Sequence, residues 1–75
     1  MTLADLKRGQ LGIIKDVSSL HIPLKLLEMG CLPGNTVKLV QVAPFSDPIY
    51  LNINGTHLAI RKETALHILI EASDE

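Results

Sequence analysis

Leu26-Leu27-Glu28-Met29-Gly30-Cys31-Leu32-Pro33-Gly34 opens a stretch that continues through a short apolar run to Ala43-Pro44-Phe45-Ser46-Asp47-Pro48, and its reading decides the fold. Two proline-bearing turns bracket one strand-length segment, residues 36–43, and a helix-like segment precedes the first turn. Pro33 presets the first central φ of a turn and Gly34 tolerates a positive second one, the pattern of a type II turn. Pro44 and Pro48 bound a rigid loop. The layout is that of a small β-barrel with an inserted helix.

Upstream, Leu3 and Leu6 flank Asp5, and residues 7–10 form a polar turn. Residues 11–17 read as a strand, with Ile13 and Ile14 β-branched and Gly12 permitting a bend or close packing. Residues 18–30 read as a helix. Leu20, Leu24 and Leu27 recur at i, i+4 and i+7, an apolar stripe expected against the barrel. Pro23 suits the first helical turn and pushes Ile22 toward extended backbone, so the regular helix is expected to start at Pro23. Gly30 suits the C′ position. Lys25 and Glu28 should face water. Ile22, Leu26 and Met29 form a second apolar set, which either the barrel or a partner covers.

Downstream, Ile49, Leu51 and Ile53 alternate with polar neighbours as in a half-buried strand. Asn54-Gly55 signals a type I′ hairpin turn. Leu58 and Ile60 continue the inward face on the return strand. Residues 63–66 have room for one helical or 3₁₀ turn, residues 67–71 form the last strand, and residues 72–75 form a frayed tail. The expectation is one mainly β domain over residues 1–75, a partly open barrel of about five strands. A barrel also manages the exposed edges of such an apolar sheet.

The chain has 75 residues and one cysteine, so no internal disulfide can staple its small core. Its 47% apolar content is therefore the main stabiliser. Seven Lys or Arg against eight Asp or Glu are scattered, without the basic stripe of a nucleic-acid binder. No apolar run approaches the roughly 18 residues that span a bilayer, so membrane insertion is not expected. Residues 2–10 are mixed and polar, unlike a signal peptide, and a soluble intracellular protein is expected.

Leu26, Leu27, Met29, Gly30, Pro33, Gly34 and Val37, then Ala43, Pro44, Asp47 and Pro48, then Leu58, Ala59, Arg61, Lys62 and Ala65 together resemble the ferrous iron transport protein A (FeoA) family. The resemblance covers residues 9–71. Ser46 stands where Gly is commoner, Ile60 where Leu is commoner, and Cys31 where an aliphatic residue is usual. The resemblance implies an SH3-like fold and a cytoplasmic accessory protein of ferrous iron uptake. The implied partner is FeoB, a membrane transporter with a cytoplasmic G domain. A similar domain ends the diphtheria-toxin-repressor-type metal regulators, which implies metal sensing as an alternative.

Docking through the helix and the 44–48 loop is the expected mode, with Ile22, Leu26, Met29, Phe45, Asp47 and Arg61 as the partner-binding residues. Gly30, Pro33, Gly34, Pro44, Pro48 and Gly55 are assigned to turns. Pro-rich ligands are not expected, because their grooves are lined with aromatics and this chain has only Phe45 and Tyr50. Cys31, His21, His57 and His67 are candidate ligands for a transition metal (Fe²⁺, Mn²⁺ or Zn²⁺). None of them has paired-ligand spacing, so no metal site is assigned. Ser18, Ser19 and Ser46 lack a sequence-apparent base and orienting group, and the glycines form no phosphate loop, so no enzyme activity is expected. A further alternative is stimulation of the partner's GTPase by Arg61 or Arg8 in trans. Homo-oligomerisation is left open.

Overall fold

Five strands form one antiparallel sheet in the order β4-β3-β2-β1-β5: β1 (Leu11–Val17), β2 (Thr36–Val42), β3 (Ile49–Ile53), β4 (Thr56–Ile60) and β5 (Ile68–Ser73). Two short helices, α1 (Leu24–Glu28) and α2 (Lys62–Ala65), and 3₁₀ turns at Leu3–Asp5 and Pro44–Ser46 complete the chain. This computed structural model describes residues 1–18 and 20–73. Ser19, named above as a nucleophile, and Asp74 and Glu75 of the expected tail lie outside the described residues.

Strict alternation along β1 would turn Asp16 inward after Ile14, and along β2 would turn Gln41 inward after Leu39. Neither happens. A bulge lies between Ile14 and Asp16, and another between Leu39 and Gln41. Each extra residue resets the pleat, so Asp16 and Gln41 face water while Val17 and Val42 pack against the core. Burying a carboxylate or an amide without a partner costs several kcal/mol, and the bulges avoid that cost while bending the sheet.

Gly12 is buried where β1 crosses β5, and a Cβ there would lie 3.0 Å from Ile70 Cδ1. The close packing expected at this glycine is present. β5 runs beyond the expected strand end, because Ala72 and Ser73 pair with Gly12 and Leu11. Residues 72 and 73 are therefore sheet rather than frayed tail. The outer side of β5 is covered in turn: Thr2 bridges Leu69, and Ile70 N–H donates to the Met1 carbonyl. Leu3 and Leu6 fill the core beneath that cover, a contribution the sequence pattern did not announce.

The helix differs most from expectation. Regular α structure covers only Leu24–Glu28, with Pro23 in the flanking cap position at ψ 141°. A stripe beginning at Leu20 starts before the helix does, so the i, i+4, i+7 argument does not govern it. Leu20 is 91% exposed and Leu24 68%, whereas Ile22 is 5% exposed. The inward set is Ile22, Leu26 and Leu27, and the outward set is Leu20 and Leu24. Lys25 and Glu28 face water as expected.

The end of α1 follows its sequence signal. Gly30 N–H donates to the Leu27 carbonyl and Cys31 N–H to the Leu26 carbonyl, which is a Schellman motif. Gly30 sits at φ +107°, where a side chain would be strained. Asn35 Nδ2 donates to the Gly30 carbonyl across the Pro33-Gly34 turn, which closes with Asn35 N–H on the Leu32 carbonyl. Asn54 and Gly55 take the paired positive φ values, 50° and 90°, of a type I′ hairpin.

Candidate docking surface

Three features converge on the loop between β2 and β3. Ala43 N–H donates to the Pro48 carbonyl at 3.0 Å and closes its neck. Asp47 Oδ1 accepts the Lys62 backbone N–H at 3.0 Å, anchoring the loop to the first turn of α2. A carboxylate there also complements the partial positive charge of a helix start. Held at both places, the loop presents Phe45 at φ +69°, fully exposed at 100%. A bulky residue in left-handed backbone costs on the order of 1 kcal/mol, and strain of this kind concentrates at ligand clamps and switch regions.

A second apolar patch surrounds α1. Leu20 and Leu24 project from it, and Leu32 at 45% exposure follows on the next turn. The expected docking residues are thus divided. Phe45 and Arg61 are exposed. Asp47 is exposed but holds the loop through its carboxylate. Ile22 is core, and Leu26 packs half-buried against the core, so both leave the docking set; Met29 is half-buried at the cap of α1. Leu20 and Leu24 are instead the apolar side chains that this segment exposes. Pro23, read in the sequence as the start of the regular helix, places Leu20 outside it, whereas no local signal turns Leu24, the first residue of α1, outward.

The metal candidates do not fit one centre. Cys31 is fully buried in the core, and His57 lies exposed on β4. His21 and His67 stack face to face, with centroids 4.0 Å apart and planes 6° from parallel. That geometry presents ring faces to each other rather than two lone pairs to one ion. Among the described residues no three His, Cys, Asp or Glu side chains gather as a ligand set. Ser18 Oγ lies 2.9 Å from His21 Nδ1, a nucleophile–base contact the sequence did not suggest. It joins exposed neighbours within one turn, and the ring behind His21 is the face-on His67 rather than an orienting acceptor, so the contact reads as a turn brace.

Burial pushes the Cys31 thiol above its ordinary value. The folded chain then holds this proton more tightly than the unfolded chain. Its contribution to stability is complete below the unfolded thiol value of about 8.5 and is lost as pH rises toward the folded one. Urea midpoints should therefore fall above about pH 8.5, and this component of the fall should be absent in Cys31→Ala. An identical decline in both proteins would refute the assignment.

A shallow groove of about 420 Å³ lies elsewhere, across β2, β3 and β4, lined by Val40, Gln41, Tyr50 and Ala59 among others. The β2 bulge creates it by turning Val40 and Gln41 outward together. No helix is long and apolar enough to cross a membrane among the described residues.

Comparison with known proteins agrees with this geometry. The FeoA domain model matches residues 1–72. A fusion of Fe(2+) transport protein A with the Fe(2+) transporter FeoB from Porphyromonas gingivalis is 36% identical over 72 residues, covering 95% of this chain and 8% of that protein. The FeoA protein of Chlorobium tepidum superposes with a TM-score of 0.88 at 30% identity, covering 96% of this chain and 70% of that one. Stenotrophomonas maltophilia FeoA, a prokaryotic SH3 domain protein complexed with zinc, gives a TM-score of 0.80 at 25% identity, covering 95% and 89%. The open five-stranded sheet with its short helix is thus an SH3-like fold.

Proposed function

The chain belongs to the FeoA domain family, and on that premise we propose that it is a cytoplasmic accessory protein of ferrous iron uptake that docks on FeoB. Support comes from the P. gingivalis relative, in which the matching segment is part of a single FeoA–FeoB fusion protein. A fused pair works at high effective concentration, and separate chains need a docking surface to do the same. The observation that carries the reading is Phe45, an aromatic held fully exposed in strained backbone by two anchors. Buried aromatics are favoured binding hot spots. Leu20 and Leu24 form the second contact. Arg61, exposed at the end of β4, is the residue we assign to any effect on the partner's nucleotide turnover.

The test is binding of the chain to full-length FeoB in nanodiscs and to its isolated G domain. Binding to both assigns the contact to the G domain. Binding to full-length FeoB alone assigns it to membrane-proximal surfaces. Binding to neither, with all proteins folded, overturns docking.

Metal sensing is the second reading, supported by the zinc complex of the S. maltophilia protein. The dispersed donors of this chain weigh against it. A sensor at 100-fold excess of metal over its dissociation constant gains about 2.7 kcal/mol by linkage, or roughly 10 °C or more in melting temperature for a domain this small. Unchanged melting with Fe²⁺, Mn²⁺ and Zn²⁺ would remove this reading.

A further inference from the structure

We infer that the outer edge of β4 pairs antiparallel with β4 of a second copy of this chain, across a two-fold axis at Leu58. The inference stands apart from FeoB docking and uses a different surface.

The two edges of the sheet are unequal. The outer side of β5 is covered by Met1 and Thr2. β4 ends the sheet, and among the described residues no strand pairs with its outer side. Edge strands are ordinarily guarded by charge, proline or a bulge. Thr56-His57-Leu58-Ala59-Ile60 has no Lys, Arg, Asp, Glu or Pro, and its register with β3 is unbroken. The strand is therefore open to another.

The hairpin settles which backbone groups are available. Asn54-Gly55 is a two-residue turn, so Ile53 and Thr56 close it as a hydrogen-bonded pair. Alternation makes Leu51–Leu58 and Ile49–Ile60 hydrogen-bonded as well, and leaves Asn52–His57 and Tyr50–Ala59 non-bonded. Asn54 N–H donates to Thr36 on β2, which confirms that the even positions of this arm point away from β4. The N–H and C=O of His57 and of Ala59 consequently face the open edge.

A second copy matches these groups without remainder. With Leu58 on the axis, His57 of each copy lies opposite Ala59 of the other. Each such pair exchanges two hydrogen bonds, and all the outward groups of both residues are satisfied. Leu58 faces its own counterpart in a non-bonded pair, where side chains approach most closely. It is half-buried beside the core, and the counterpart would cover the surface still open to water. Charge permits the match, since the same register sets Arg61 against Gly55 and Lys62 against Asn54, with no like charges opposed. A five-residue edge buries less than a standard interface, so a weak dimer is expected, dissociating between about 10 μM and 1 mM.

Sedimentation equilibrium of the whole chain across that range, with amide exchange followed residue by residue, tests the inference. The expected result is a monomer–dimer equilibrium in which the His57 and Ala59 amides become protected as concentration rises. Ala59→Pro removes an outward donor and no β3–β4 bond, and should weaken the dimer at least tenfold. His57→Lys with Ala59→Lys, and His57→Glu with Ala59→Glu, alter only exposed side chains. Each double variant should be monomeric and their equimolar mixture should dimerise again, which keeps the test decisive if the proline variant does not fold. A monomer at every concentration overturns the inference. So does a dimer indifferent to Ala59→Pro, or His57 and Ala59 protection that does not depend on concentration, which would mean a different occupant of the edge.

Discussion

Ile53→Ala should destabilise the domain by about 2–5 kcal/mol, the range for truncating a buried branched side chain. Ile53 is fully buried on β3 and lies opposite Val37 in the sheet. It also seats the end of α1, since a Cβ at Gly30 would lie 3.8 Å from its Cγ2. Truncation therefore opens a cavity between sheet and helix cap. A chain of 75 residues has about 4–11 kcal/mol of total stability at the usual figure per residue. The loss is thus about a fifth of that stability at least, and can be all of it. With a urea slope of about 1 kcal/mol per molar, typical of small domains, the midpoint should fall by about 2 M or more. Ile53→Val should cost only about 0.5–1.5 kcal/mol. A loss below about 1 kcal/mol for Ile53→Ala would show that the helix cap is not seated on this residue.

Phe45→Ala should weaken FeoB binding by about thirtyfold, the equivalent of a hot spot worth roughly 2 kcal/mol, and leave melting unchanged. The side chain touches little of its own fold at 100% exposure, so its removal has almost no folding cost. Phe45→Gly separates the two roles further. Glycine accepts φ +69° without strain, so this variant should bind as poorly as alanine while melting no lower than the parent. Leu24→Glu is the companion probe on the α1 patch. Leu26→Glu, which the sequence alone would recommend, is unsuitable, because Leu26 packs against the core and a carboxylate there would disturb the fold. Full affinity in both Phe45→Ala and Leu24→Glu, measured by titration against FeoB in nanodiscs, would show that the docking surface lies elsewhere.

Local chemistry made most of the fold legible. Pro33-Gly34 and Asn54-Gly55 place their turns whatever surrounds them, because the backbone preferences belong to the residues themselves. Alternation in 49–53 placed β3 for the same reason, and Gly30 marked the end of α1. Pattern reading failed where a single residue interrupts a period. Pro23 stops the helix from reaching back to Leu20, and the bulges at Lys15 and Val40 reverse the faces of the residues after them. The candidate site suffered most from the first failure, since Leu20 and Leu24, expected against the barrel, face outward, whereas Leu27 packs inward as expected.

From its sequence alone this chain determined its turns, the existence and order of its five strands and its kinship with the FeoA family. These depend on backbone preferences and short-range order, which act within a few residues. Only the tertiary structure decided that Ile22 belongs to the core and Leu24 to the surface, that Asp47 anchors α2, that Phe45 is exposed, that Met1 and Thr2 cover β5, and that no strand among the described residues pairs with the outer side of β4. Each of those is a contact or an absence of one between residues distant in the chain. It is chosen by which arrangement buries the most apolar surface with the fewest unpaired polar groups, a competition that no local pattern records.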